Sequence, residues 1–406
     1  MDNQNQSTTS PIWLLTIYII MIGFTFISMP NNETTYVATR GIQAIELVIF
    51  ATLIVQLYRQ GIRTSKFNSV VNIWWMLYLF LTYSFASGMG LTPMFQWLNI
   101  VIYLLLGSCY WKNNFKENLR FIAGALSVLI YANAILLVMY PDGLWIDHEW
   151  VGGGDPRRFL FGNYNHMGFV CLLGTTAQAM YTFATKRGRF KLFLLLVVSL
   201  GTVLYVGSMT STVGLGMLTI YILIHNFIKR PRLLLTIFVI IYIAFFLVIV
   251  WAGNSIEEID LMTRFIENVL SKDTTFTKRT DIWSNAIYMI QQSPWLGYGV
   301  QNTDWNITHL SASGPHNLLL MLLLQGGVVL CGAFIYIVSV VVRKALKAGT
   351  TIGVLAVVSI CIFFTMSLFE AYNILQTFFL LQLAYYSSLL QPNTIEAEST
   401  QSQIES

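Results

Sequence analysis

The chain has 406 residues, of which 55% are hydrophobic, 14% aromatic and 10% charged, with a formal net charge of +4. Soluble domains carry about 25% charged residues, so the composition excludes a cytosolic enzyme, a secreted disulfide scaffold and a disordered chain, and a mean hydropathy of +0.63 agrees. What remains is an all-α polytopic membrane protein, in which the open question is the purpose of so few charges.

The first ten residues are polar, hold no Lys or Arg, and lead into an apolar run that no small-residue cleavage site follows, which argues against a cleaved signal peptide. A helical span needs about 20 mostly apolar residues. Twelve segments qualify, near 11–29, 41–57, 70–87, 94–111, 119–140, 162–185, 192–207, 212–228, 233–252, 316–342, 350–368 and 372–390. Those at 41–57 and 192–207 are short, and 316–342 is long enough to tilt or to begin as a half-buried segment. Continuous apolar runs, in place of alternation, argue against a membrane barrel.

Basic residues orient the chain. Arg59, Arg63 and Lys66 share one loop; Lys112, Lys116 and Arg120 the next; then Lys186, Arg187, Arg189 and Lys191; Lys229, Arg230 and Arg232; and Arg343, Lys344 and Lys347. These five loops hold 16 of the 23 Lys and Arg residues, and two spans separate each from the next. They fall on one side, and excess positive charge marks that side as cytoplasmic, with both termini. The net charge is therefore an orientation signal and calls for no nucleic-acid partner. Arg40, Arg157, Arg158, Arg264, Lys272, Lys278 and Arg279 fall on the other side, where orientation gives them no purpose.

Cys109, Cys171, Cys331 and Cys361 lie within spans, form no Cys-x-x-Cys pair, and read as packing residues. No internal repeat is evident, unlike many transporters. Residues 1–390 read as one membrane domain, and 391–406 as a polar, acidic, disordered cytoplasmic tail.

Two outer loops are long. The first, 141–161, reads PDGLWIDHEWVGGGDPRRFLF. The second, 253–315, holds two helical apolar patterns: Ile259, Met262, Phe265, Ile266, Val269 and Leu270, and then Ile282, Ala286, Ile287 and Ile290 behind an N-cap at Thr280-Asp281. Ser293-Pro294 ends the second helix, and Gly297 and Gly299 make a turn. The spacing predicts two short amphipathic helices lying over a cavity.

Three segments carry candidate chemistry. Gly314-Pro315-His316-Asn317 opens a span that runs to Gln325-Gly326-Gly327. An imidazole there is either an interfacial anchor or a base for a hydroxyl near neutral pH. Arg279-Thr280-Asp281-Ile282-Trp283 precedes Pro294-Trp295-Leu296-Gly297-Tyr298-Gly299, and Arg157-Arg158-Phe159 precedes Phe161-Gly162-Asn163-Tyr164-Asn165-His166. An Arg at a membrane surface binds headgroups, whereas one in a cavity suits phosphate through its planar fork. Trp283, Trp295, Tyr298 and Trp305 are either interfacial anchors or platforms for sugar faces. Asp147-His148-Glu149 and Glu258-Ile259-Asp260 have the composition for a cation, but the first outer loop offers only Glu33, and a metal-free reaction is expected. Glu46, inside a span, either lines a path or pairs with a neighbouring helix; His225 sits near the inner end of the eighth span; Glu370, between the last two spans, either closes the outer cavity or orients an Arg.

These segments, in this order and on this topology, resemble the O-antigen ligase and O-antigen polymerase family of bacterial envelope enzymes. The matching positions are Arg158, Phe161 to Asn165, Arg279, Trp283, Pro294, Gly297, Gly299, His316 and Asn317. Tyr164 departs from a common Pro and Gln325 from a common acid; of the adjacent arginines, Arg158 is the better match. The resemblance implies a membrane glycosyltransferase using an undecaprenyl-diphosphate-linked oligosaccharide donor and a glycan acceptor on the outer face. It implies catalysis by His316, Arg279 and Arg158, substrate contacts from Arg157, Asn163, Asn165, Trp283, Tyr298 and Asn317, no cofactor or metal, and a flippase and a chain-length regulator as working neighbours among the membrane lipids. Polymerase and ligase stay open at this level, and a twelve-span transporter or flippase is the contrasting class.

Overall fold

The computed structural model describes residues 12–28, 33–60, 65–86, 91–111, 115–147, 156–228, 230–251 and 275–390. Nearly all are helical: α1 (Ile12–Phe26), α2 (Glu33–Gln60), α3 (Lys66–Phe85), α4 (Thr92–Tyr110), α5 (Phe115–Met139), α6 (Tyr164–Thr185), α7 (Arg189–Tyr205), α8 (Met209–Ile224), α9 (Pro231–Phe245), α10 (Thr275–Gln292), α11 (Thr303–Leu310), α12 (Leu318–Lys347), α13 (Thr351–Ser367) and α14 (Ile374–Tyr386). A helix lies at each of the twelve apolar segments. By length and apolarity, four are sufficient to cross a membrane: Phe115–Met139, Met209–Phe227, Pro231–Val248 and Leu318–Lys347. The helix 259–270 expected in the second loop, and the tail, lie outside the described residues.

At the centre stands α6. Asn163 caps its start by accepting from the His166 N–H, and Lys186 ends it in the left-handed region. Every side chain from Met167 to Met180 is buried, as expected of a helix surrounded on all sides by α5, α7, α8 and α13. Lipid tails are as apolar as leucine, so such helices adhere by close packing and hydrogen bonds. Thr176 donates to Ser359 Oγ on α13 at 2.9 Å, and Gly168 leaves room for Ser211 of α8, whose Oγ would lie 1.9 Å from a Cβ there. In contrast, α9 buries none of its side chains. Ile237, Ile240, Ile241 and Ile243 are exposed on it. Apolar side chains exposed along most of a helix belong in lipid, which fits a multi-pass membrane protein.

A second, smaller core joins the loop helices to the array. Trp283, Ala286, Ile287 and Ile290 of α10 pack with Leu310 of α11, Leu320 and Leu324 of α12, Val250 and Leu368. Here the sequence expectation needs two corrections. Helix α10 begins at Thr275, ahead of the expected cap at Thr280-Asp281; apolar periodicity marks where a helix meets the core, while its polar first turns leave no such mark. Helix α11 was not expected. At eight residues it is too short to show a period, yet Asn302 caps it by accepting from the Trp305 N–H at 2.8 Å. The ends of the first long loop also form a short antiparallel ladder, β1 (Trp145–Ile146) with β2 (Arg157–Arg158).

The long helix α12 is broken. Gly326 (φ −152°, ψ 18°) and Gly327 (φ 60°, ψ −162°) leave the helical region. A break strands the carbonyls of Leu324 and Gln325 and the N–H groups of Val328 and Val329, at a cost of several kcal/mol for each unsatisfied group in an apolar medium. The segment Pro294–Gly299 satisfies all four. Tyr298 and Gly299 donate their N–H groups to Leu324 O (2.7 Å) and Gln325 O (3.0 Å), and Val328 and Val329 donate to Pro294 O (2.8 Å) and Trp295 O (3.3 Å). The expected glycine turn is present, with Gly297 at φ 63° and Gly299 at φ 72°, and it splices the two halves of α12.

Candidate active site

The N-terminal ends of α6 and α12 and the α13–α14 connection meet at one end of the helix array, around the carboxylate of Glu370. Asn165 Nδ2 donates to Glu370 Oε2 at 2.7 Å. His316 Nδ1 stands 3.4 Å from Oε1, and Arg279 Nη2 lies 3.9 Å from Oε2. Arg279 Nη1 also donates to the Phe369 carbonyl. Asn165 Oδ1 accepts from Ser208, which donates from the α7–α8 turn at 3.0 Å. One buried carboxylate thus gathers groups from three distant stretches of chain.

Burial pushes the Glu370 carboxyl up, but the His316 hydrogen bond and the electrostatic influence of His316, His166 and Arg279 outweigh it and hold the group below the ordinary 4.5. Glu370 is therefore ionised at neutral pH. Because its folded value is depressed, its contribution to stability is complete above about pH 4.5 and is lost as pH falls through the folded value. Glu370→Gln should flatten that acid-side loss in thermal melts of detergent-solubilised protein taken from about pH 3 to 7. The same change takes away the partner that His316 and Arg279 share.

His316 has φ 45°, the left-handed region that a non-glycine residue occupies at a cost of about 1–3 kcal/mol where the surrounding structure over-determines it. Its neighbours impose the turn. Trp283, fully buried, donates its indole N–H to Pro315 O at 3.0 Å. Asn317, also fully buried, accepts from Leu320 N (3.1 Å), capping α12, and donates to Leu368 O (3.0 Å).

A cavity of about 300 Å³ opens beside these groups. It is lined by Asn163, His166, Tyr298, Gly299, Gln301, Trp305, Asn306, Ser313, Gly314, Pro315, His316, Met321, Leu324, Gln325, Glu370 and Ala371. Of the site residues expected from sequence, His316, Asn163 and Tyr298 line it. Arg279 and Asn165 reach it through Glu370. Trp283 and Asn317 stand in the supporting structure of the His316 turn. Arg158, 7% exposed, pairs with Asp147 at 2.9 Å across the ladder, and Arg157 donates to Pro141 O at 3.2 Å. Two lining groups, His166 and Gln325, appeared in the quoted motifs without a role. A half-buried His in the first turn of a span carries no local mark that separates a cavity wall from packing. The other polar residues noted from sequence have local partners. His225 stacks on Phe183 with ring centroids 4.4 Å apart and hydrogen-bonds to Ile222 O through Nδ1 at 2.8 Å, while Glu46 is buried among the helices of the first half. His148, Glu149 and 258–260 lie outside the described residues, and among the described residues no group of three metal-ligating side chains occurs.

The fold and the cavity are those of an all-helical membrane protein with a polar site at its helix ends. Residues 194–337 are similar to the family model described as O-antigen ligase, which supports the resemblance drawn from the motifs that lie within that stretch. The match takes in Arg279, Trp283, the Pro294–Gly299 splice, His316, Asn317 and the break in α12; Arg158, Asn163, Asn165 and Glu370 lie beyond it. No curated protein matches the chain significantly.

Proposed function

We propose that this protein is an inverting, metal-independent glycosyltransferase that polymerises undecaprenyl-diphosphate-linked repeat units on the outer face of the cytoplasmic membrane, as a twelve-span protein with both termini inside. The observation that carries the reading is the His316–Glu370–Arg279 cluster at a cavity, two of whose members fall within the O-antigen ligase match. Glu370 faces Nδ1 of His316, which leaves Nε2 as the nitrogen for the acceptor hydroxyl. As that hydroxyl oxygen attacks the anomeric carbon of the donor, its proton passes to His316. The C–O bond to the diphosphate breaks, and the diphosphate departs with the electron pair. Arg279 and Arg158 are suited to neutralise it, since charge-assisted hydrogen bonds contribute about 1.5–3 kcal/mol each and more where water is excluded. Direct attack inverts the anomeric centre.

A ligase that moves a finished glycan to a lipid core, wall polymer or protein uses the same chemistry. The transporter reading has one observation in its favour, the broken α12, since discontinuous helices line many transport sites. Four backbone groups of this break, however, the carbonyls of Leu324 and Gln325 and the N–H groups of Val328 and Val329, are already bonded to Pro294–Gly299.

Deletion of the protein, followed by analysis of lipid-linked intermediates, separates the three. A polymerase leaves single repeat units on lipid, a ligase leaves long chains on lipid, and a flippase leaves units trapped on the inner face. Arg279→Ala should reproduce the deletion phenotype while still inserting, and normal long-chain glycan in that variant would remove Arg279 from the mechanism.

A further inference from the structure

We propose that Trp305 and Gln325 form a specificity-determining subsite for an uncharged sugar ring, the one that carries the attacking hydroxyl. This rests on the glycosyltransferase reading and narrows its acceptor. The cavity wall around His316 is built from neutral hydrogen-bonding groups and aromatic rings. Asn163, Gln301, Asn306, Gln325 and Ser313 supply amides and a hydroxyl, and Tyr298 and Trp305 supply rings. Among the described residues lining it there is no Lys or Arg, so the wall itself offers no cation to an acidic or phosphorylated sugar.

Two details point to a ligand. Gln325 Oε1 is buried and has no hydrogen-bond partner. Such an orphan is costly as it stands, and turning the Gln325 amide toward the cavity would give it a sugar hydroxyl or amide N–H as donor. Trp305 is held in place on α11: His309 stacks on it with ring centroids 4.2 Å apart at 20°, and Tyr298 lies at 5.3 Å. A ring fixed before binding loses little entropy when a sugar face packs on it. The other candidate platforms lack this placement. Trp283 is fully buried, and Trp295, 68% exposed, is not among the lining residues.

The test uses the full-length protein in nanodiscs. The donor is the lipid-linked oligosaccharide purified from the deletion strain, and the acceptor is the same oligosaccharide released from lipid by mild acid. Trp305→Ala should raise the acceptor KM about tenfold, equivalent to about 1.4 kcal/mol, with kcat near wild type. Trp305→Phe should restore most of the affinity, and Gln325→Met should raise KM about fivefold on its own. If Trp305→Ala fails to fold, the phenylalanine and methionine variants carry the measurement. Transfer by the wild type with acceptor KM unmoved in the variants, or moved only together with kcat, overturns the subsite. Linkage analysis of the polymer provides a second check: a uronic acid or phosphosugar bearing the newly made linkage through its hydroxyl overturns it as well. Absence of any transfer by the wild type would instead count against the polymerase reading, so the two failures are distinct.

Discussion

Under the proposed glycosyltransferase mechanism, His316→Ala is expected to lower glycan transfer about 10²–10⁴-fold, the usual contribution of a positioned general base, with the protein still inserted and folded. The expectation follows from three independent placements. His316 lines the cavity, its Nδ1 faces an ionised carboxylate, and its backbone is held at φ 45° by the Trp283, Asn317 and α12 cap contacts. The backbone conformation also supplies the control. Asn tolerates the left-handed region better than most residues, so His316→Asn should fold at least as well as wild type and still be inactive, separating lost chemistry from lost structure. The measurement is single-turnover transfer in nanodiscs alongside a thermal melt. Wild-type chain length in His316→Asn would end the assignment of His316 as base.

Gly327→Ala should be the most destabilising small substitution in this region, costing about 3–5 kcal/mol. Its φ of 60° with ψ of −162° is a glycine conformation, and a Cβ there would lie 2.2 Å from the Trp295 carbonyl and 2.5 Å from Leu296 N. These atoms belong to backbone that is itself hydrogen-bonded to Val328 and Val329, so they cannot move aside without stranding the polar groups that the break exposes. The loss is predicted to be local first. Protection from hydrogen exchange should fall at Tyr298, Gly299, Val328 and Val329 before it falls in α6, and transfer should fail because Gln325 and Tyr298 line the cavity. Gly332, where an added Cβ meets nothing within 4 Å, is the matched control: Gly332→Ala should be near neutral. Equal melting temperatures for the two alanine variants would refute the splice.

Much of the helical layout was legible in the chain. A helix stands at each of the twelve apolar segments because apolar runs of that length have few alternatives in lipid, and the turn at Gly297 and Gly299 was readable because both positions need φ above zero. Within the site, His316 and Arg279 were legible from their motifs, and Glu370 was noted between the last spans without a choice between closing the cavity and holding an Arg. The start of α10 at Thr275 and the existence of α11 were not legible, since polar first turns and an eight-residue helix leave no period to detect. The roles of Trp283 and Asn317 were also hidden. Both types suit a sugar, and only their complete burial against Pro315 and Leu368 shows that they hold the His316 turn.

By itself the sequence determined that the protein is helical and belongs in a membrane, because apolarity and charge are properties of each segment taken alone. It also singled out the few basic residues that orientation does not explain. Tertiary structure decided which polar groups Arg279, one of these, meets. Glu370 meets Asn165, Arg279 and His316, and Pro294–Gly299 completes a broken helix beyond it. Neither contact has a local signature, because each depends on how helices far apart in the chain pack and on which buried polar groups are left needing a partner.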